Sequence, residues 1–134
     1  MIYLDASALV KLVRVEPWSE DLRRWLADQS GVARVSSVIV EVELPRAVRR
    51  SEPAALVDVP AVLARVTRMH ADVAVRTTAA AYDLPTLRSL DAIHLATAQI
   101  LHESAGPLTG FVAYDDRLLA AAESVGLPAV SPRR

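Results

Sequence analysis

"MIYLDASALVKL", residues 1–12, decides how the rest of the chain is read. Met1 to Leu4 form a short run of strand type, apolar throughout, as a strand buried on both faces would be. The run stops at an acid, Asp5, and from Ser7 the pattern turns helical, with Leu9, Val10, Leu12 and Val13 apolar. A buried strand passing straight into a helix is the opening unit of an α/β fold. Asp5 sits at the junction, where it can cap the helix or belong to a site.

Working outward, the same alternation continues. The first helix is predicted over 7–14. Pro17 opens a second, because proline is tolerated at the first helical position, and Trp18, Leu22, Trp25 and Leu26 form one apolar stripe. Gly31 ends that helix, and residues 32–36 read as a second strand. Ser36 or Ser37 caps a third helix reaching about Arg50, with a kink expected at Pro45. Residues 53–65 read as helical with a break at Pro60, and 66–70 as a weakly signalled strand. Asp72 caps a helix over about 73–83, Pro85 breaks it, and Ser89 caps the next over about 90–103. "FVAY", 111–114, is another strand, followed by a helix over 116–124 and a last strand near 128–130. The expected architecture is a single α/β domain, residues 1–134, with a central parallel sheet of about four or five strands flanked by helices.

The composition agrees with a globular chain: 52% hydrophobic and 23% charged over 134 residues, enough to bury a core. With no cysteine, disulfides and thiolate metal sites are excluded. No apolar stretch approaches the roughly 18 residues that span a bilayer, and no signal peptide is read, so a cytoplasmic location is expected. The net charge of −1 gives no global footprint for nucleic acid. Of the fifteen basic residues only Lys11 is a lysine. That bias suits phosphate recognition, and it also suits a genome rich in arginine codons.

The acids are more informative than the net charge. Asp5 follows the first strand, and Asp115 and Asp116 follow the "FVAY" strand, so both groups fall at the carboxyl edge of a parallel sheet, where α/β folds build their sites. Asp91 lies in the first turn of the helix after Ser89, and Glu43 lies within "VIVEVELP". Each acid alone has an ordinary structural reading: a helix cap, a favourable dipole contact or a solvated side chain. Together they would repel one another unless a cation joined them, and an oxygen-only donor set suits Mg²⁺ or Mn²⁺.

Four blocks, "MIYLDASALVKL", "VEVELPRAVRR", "LDAIHLATAQIL" and "FVAYDDRLLAAAESVGL", together resemble the PIN-domain family, and within it VapC-type toxins of bacterial toxin–antitoxin pairs. The blocks stand in the family's order across nearly the whole chain, with acids separated by 38, 48 and 24 residues. The resemblance implies a PIN-like three-layer sandwich and a metal-dependent endoribonuclease. It implies that Asp5, Glu43, Asp91 and Asp115 bind the metal and that Ser7 supports Asp5. Glu41 also lies near the expected position. It stands about 200° from Glu43 around a helix, so both cannot face one site, and Glu43 fits the "VELPRA" block better. Asp115 is preferred to Asp116 because it comes first after the strand, while Asp116 remains open as a ligand of a second metal or a helix cap.

The implied chemistry is hydrolysis of a phosphodiester by metal-activated water, with no histidine needed as base. His70, His94 and His102 form no zinc spacing, and His94 reads as a packing or hydrogen-bonding residue. Arg46, Arg49 and Arg50 follow Glu43 on one helix side. They are candidates for RNA phosphate or antitoxin acids, and equally for a solvated helix end. Lys11, Arg14 and Arg117 are weaker candidates for the same mouth. Implied partners are an RNA substrate, a cognate VapB-type antitoxin and a second copy in a homodimer; no membrane is implied. Trp18, Trp25 and Leu26 are read first as core and second as a dimer or groove face. Other readings are a PIN fold that binds RNA or antitoxin with little catalysis, and a housekeeping RNA-processing nuclease. A haloacid-dehalogenase-like phosphatase needs a second Asp two residues after the first, and that position is Ser7.

Overall fold

The computed structural model describes residues 1–133. Five strands pair in parallel in the order β3-β2-β1-β4-β5. In chain order they are β1 (Ile2–Leu4), β2 (Arg34–Ser37), β3 (Thr67–Met69), β4 (Gly110–Val112) and β5 (Ala129–Val130). The helices are α1 (Ala6–Val13), α2 (Ser19–Asp28), α3 (Val40–Ser51), α4 (Val59–Leu63), α5 (Val73–Ala81), α6 (Ser89–Ser104) and α7 (Asp116–Ser124), and a 3₁₀ segment spans Pro53–Asp58.

Strand β1 shows why the sheet is central. Ile2 and Leu4 face one core, with Leu9, Leu22, Leu26, Leu44 and Val48 from α1, α2 and α3. Tyr3, pointing the other way, joins Leu95, Leu101, Phe111 and Leu118 in a second core under α6 and α7. Successive side chains alternate between faces, so a strand apolar at every position needs helices on both. The result is the three-layer sandwich that the alternation predicts. From β1 the chain builds outward to β2 and β3, then returns to lay β4 on the other side. Strand order therefore reverses between β1 and β4, and ligands bind beyond the carboxyl ends of the strands at such a reversal. Asp5 and Asp115 follow those two strands.

Several local expectations need correcting. Pro17 does not open α2: the helix begins at Ser19, and Trp18 before it is left-handed, with φ +72°. Trp18 thereby leaves the apolar stripe and is exposed, while Leu22 and Leu26 are buried. Trp25 packs against Gly110, where an added Cβ would stand 3.1 Å from its ring. Helix α3 runs through Pro45 without interruption. Pro60 does not break a helix; it lies in the first turn of α4, just after the 3₁₀ segment. Ser89 is the first residue of α6 rather than its cap, and Arg88 holds that position. Ser37 accepts a hydrogen bond from the Ile39 N–H at 3.3 Å and so opens the turn before α3. By contrast, Asp72 caps α5 through the Val75 N–H at 2.9 Å.

Candidate active site

Asp5 is held from two sides. Its Oδ2 accepts from the Ser7 backbone N–H at 3.1 Å and from the Ser7 hydroxyl at 2.6 Å. Asp5 is thus the N-cap of α1 as well as a buried carboxylate, with only 5% of its surface exposed. The Ser7 oxygen also accepts from the Tyr114 N–H at 3.0 Å, which ties the loop after β1 to the loop after β4. The supporting contact expected of Ser7 is present.

His94 stands at the centre of the acids and is fully buried. Its Nε2 is 2.7 Å from Glu43 Oε1 and 3.6 Å from Asp5 Oδ1, and its Nδ1 is 2.7 Å from the Tyr3 hydroxyl. Burial pulls the imidazole pKa down, but the Asp5 charge, the Glu43 hydrogen bond and the fields of Glu43 and Asp91 outweigh it and raise it above its ordinary value. In the imidazolium form both ring N–H groups donate, one to Glu43 and one to Tyr3. Burial and the Asp5 charge keep the Tyr3 phenol protonated, with its pKa well above the usual range.

Asp91 and Asp115 are partly exposed, as Glu43 is, and meet an exposed cation instead of a buried one. Burial and the charge of Asp5 raise the Asp91 pKa; Arg88 opposes them and Asp115 adds to the rise. Arg88 bridges the pair, with Nε 3.4 Å from Asp91 Oδ2 and Nη2 3.6 Å from Asp115 Oδ2. The other Asp115 oxygen caps α7 through the N–H groups of Arg117 and Leu118, at 2.9 and 3.2 Å.

The paired alternatives separate in space. Glu43 reaches His94, whereas Glu41 turns to Arg68 at 3.2 Å. Asp115 meets Arg88, while Asp116 is largely exposed and pairs with Arg133 at 3.1 Å. Arg46, Arg49, Arg50 and Arg117 are exposed. Lys11 must be withdrawn as a binding residue: it is buried, its ammonium donates to Glu16 at 3.0 Å and to the Pro17 carbonyl at 2.8 Å, and it lies over the Tyr114 ring. Arg14 is held similarly, 3.3 Å from Glu16. Sequence reasoning missed Arg88, whose signal was its place three residues before Asp91. It also placed His94 among structural residues without locating it between two candidate acids.

The donor set fits a hard divalent cation. Asp5 and Asp115 lie near enough to Asp91 to raise its pKa, and Glu43 joins them through His94, whose imidazole feels Asp5, Glu43 and Asp91; such an oxygen donor set suits a hard cation. Among the described residues no three of these groups already close into a ligand cage; Arg88 occupies the span between Asp91 and Asp115.

A parallel sheet carrying acids at its point of reversal defines an α/β fold with a candidate ligand site at that edge, and comparison with known proteins places it more narrowly. The PIN-domain family profile matches residues 2–124. The chain belongs to the PIN-domain family, in its VapC branch. It is 53% identical over 132 residues to ribonuclease VapC35 of Mycobacterium tuberculosis, covering 98% of this chain and 97% of that protein. Ribonuclease VapC47 of the same species is 42% identical over 136 residues, with the same coverage. In fold the chain resembles the crystal structure of M. tuberculosis VapC20, described as a sarcin–ricin-loop-cleaving toxin, with a TM-score of 0.72 at 19% identity over 90% of this chain and 95% of that one.

Proposed function

We propose that this protein is a divalent-metal-dependent endoribonuclease and the toxin of a VapBC-type pair, slowing translation and growth by cutting RNA. The observation that carries the reading is Asp5, a carboxylate buried at the sheet reversal and locked by Ser7, with Glu43–His94 on one side and Asp91 and Asp115 on the other. Membership of a branch whose named relatives are ribonucleases supports it.

In this reading Asp5, Glu43, Asp91 and Asp115 hold Mg²⁺ or Mn²⁺. An ion held there would lower the pKa of a bound water and offset charge on the phosphate. The protein groups do the positioning. Ser7 fixes the rotamer of Asp5, leaving Oδ1 outside the cap. His94 holds Glu43 at a set distance from Asp5 and offsets part of the acid charge. Arg88, paired only at 3.4–3.6 Å and with an exposed side chain, can leave the acids and meet a substrate phosphate. Arg46, Arg49, Arg50 and Arg117 offer further contacts to RNA phosphates or to acids of a VapB-type antitoxin. A homodimer and a cytoplasmic location belong to the same proposal; among the described residues no helix is long and apolar enough to cross a membrane.

The test is cleavage of total cellular RNA by the purified, antitoxin-free protein in Mg²⁺, Mn²⁺ or EDTA, with folded Asp5→Asn and Asp91→Asn variants alongside. Metal-dependent cleavage lost in both variants is expected. Cleavage that survives both substitutions would sink the site assignment.

A further inference from the structure

At the sheet edge opposite the acids, a cleft of about 540 Å³ lies between the end of α1, α2, α4 and the residues that start β2 and precede β3. Arg23, Arg34 and Arg65 line it, with Asp58 and an apolar floor that includes Ala61 and Val62. Arg23 already has a weak acceptor, the Lys11 carbonyl at 3.5 Å. Among the described residues neither Arg34 nor Arg65 forms an ion pair, and Asp58 forms none either. Guanidinium groups stay charged at any working pH. The cleft therefore carries three positive charges against one negative, in a chain whose net charge is −1.

Scattered surface arginines need no ligand. These share one concavity whose volume falls within the small-molecule range of about 300–1,000 Å³. An unpaired cation cluster beside apolar surface matches a ligand with an anionic end and an apolar body. Guanidinium forks fit phosphate oxygens two at a time, and the floor suits a flat ring.

We propose that this cleft binds a nucleotide-class ligand, with its phosphate on Arg34 and Arg65 and its base against Ala61 and Val62. The phosphate can be that of a free mononucleotide or the 5′ end of an RNA strand. The site lies at the amino ends of the strands, the edge opposite the acids, and needs no metal, so it stands or falls separately from the nuclease reading.

Calorimetric titration of the whole protein in EDTA tests it, with AMP, adenosine and inorganic phosphate as probes. AMP is expected to bind at least about tenfold more tightly than adenosine, because charged groups dominate such contacts. The double variant Arg34→Gln/Arg65→Gln, shown folded by circular dichroism, loses at least that factor, and Asp58→Asn, which removes the competing acid, tightens AMP. A 5′-phosphorylated trinucleotide binding more tightly than AMP assigns the strand end; AMP binding alone assigns the free nucleotide. Equal AMP binding by wild type and double variant overturns the proposal. So does weaker AMP binding by Asp58→Asn, or an acidic amphipathic peptide that binds where AMP does not.

Discussion

The acid edge has two halves that solve the same electrostatic problem differently. On the inner half, Asp5 and Glu43 meet a fully buried His94, itself anchored on Tyr3. On the outer half, Asp91 and Asp115 share Arg88, whose side chain is 73% exposed. The inner compensation is a buried cation, short to Glu43 at 2.7 Å though 3.6 Å from Asp5, and backed by a hydrogen bond to Tyr3. The outer one is long and wet, and such pairs contribute little. The contrast suggests a division of labour: a rigid half that sets geometry, and a half whose own cation can be exchanged for an incoming one.

Substitutions can break that contrast or sharpen it. The largest effect is expected from Asp5→Asn, which keeps shape but removes the charge that both halves face. RNA cleavage should fall by more than about a hundredfold while the melting temperature holds; retained cleavage would dissolve the idea of a shared centre. His94→Ala should cost about 2–3 kcal/mol in urea unfolding, because it leaves the Tyr3 hydroxyl and Glu43 without their partner and opens a void. An unfolding midpoint equal to wild type would show the inner half to be no more built than the outer. Ser7→Ala removes the hydroxyl shared by Asp5 and Tyr114, and about 1 kcal/mol of stability and a drop of about tenfold in cleavage are expected. The smallest change in stability, within about 0.5 kcal/mol, should come from Arg88→Ala. Divalent-ion affinity, read by calorimetry, should nonetheless rise in that variant, since a competing cation is gone. An affinity that falls would mean that Arg88 belongs to the rigid set.

Much of this was legible because its signals are local. The apolar run ending at Asp5, the cap at Asp72 and the helix of 116–124 each depend on residues within a few positions of one another. The structure places α7 at Asp116–Ser124 and β3 at Thr67–Met69, inside the expected spans. The helical angle set Glu41 and Glu43 on different sides, the family block chose Glu43, and in the fold the two turn to different partners. What failed depended on distant partners. Lys11 looked like a free cation until Glu16, Pro17 and Tyr114 closed over it. Trp18 fitted the apolar stripe by spacing, but its left-handed backbone takes it out of the helix. Arg88 carried no motif of its own; only the approach of α6 to the loop after β4 gives it two acids.

The sequence by itself determined the architecture and which acids fall at the carboxyl edge, because strand and helix periods and the residues that end them are written in neighbouring positions. Only the tertiary structure decided that His94 lies between Glu43 and Asp5, that Arg88 spans Asp91 and Asp115, and that three arginines share a cleft at the far edge. Those pairings join residues as many as 89 positions apart, as His94 and Asp5 are. Burial and Coulomb energy act through distance in space, which spacing along a chain does not encode.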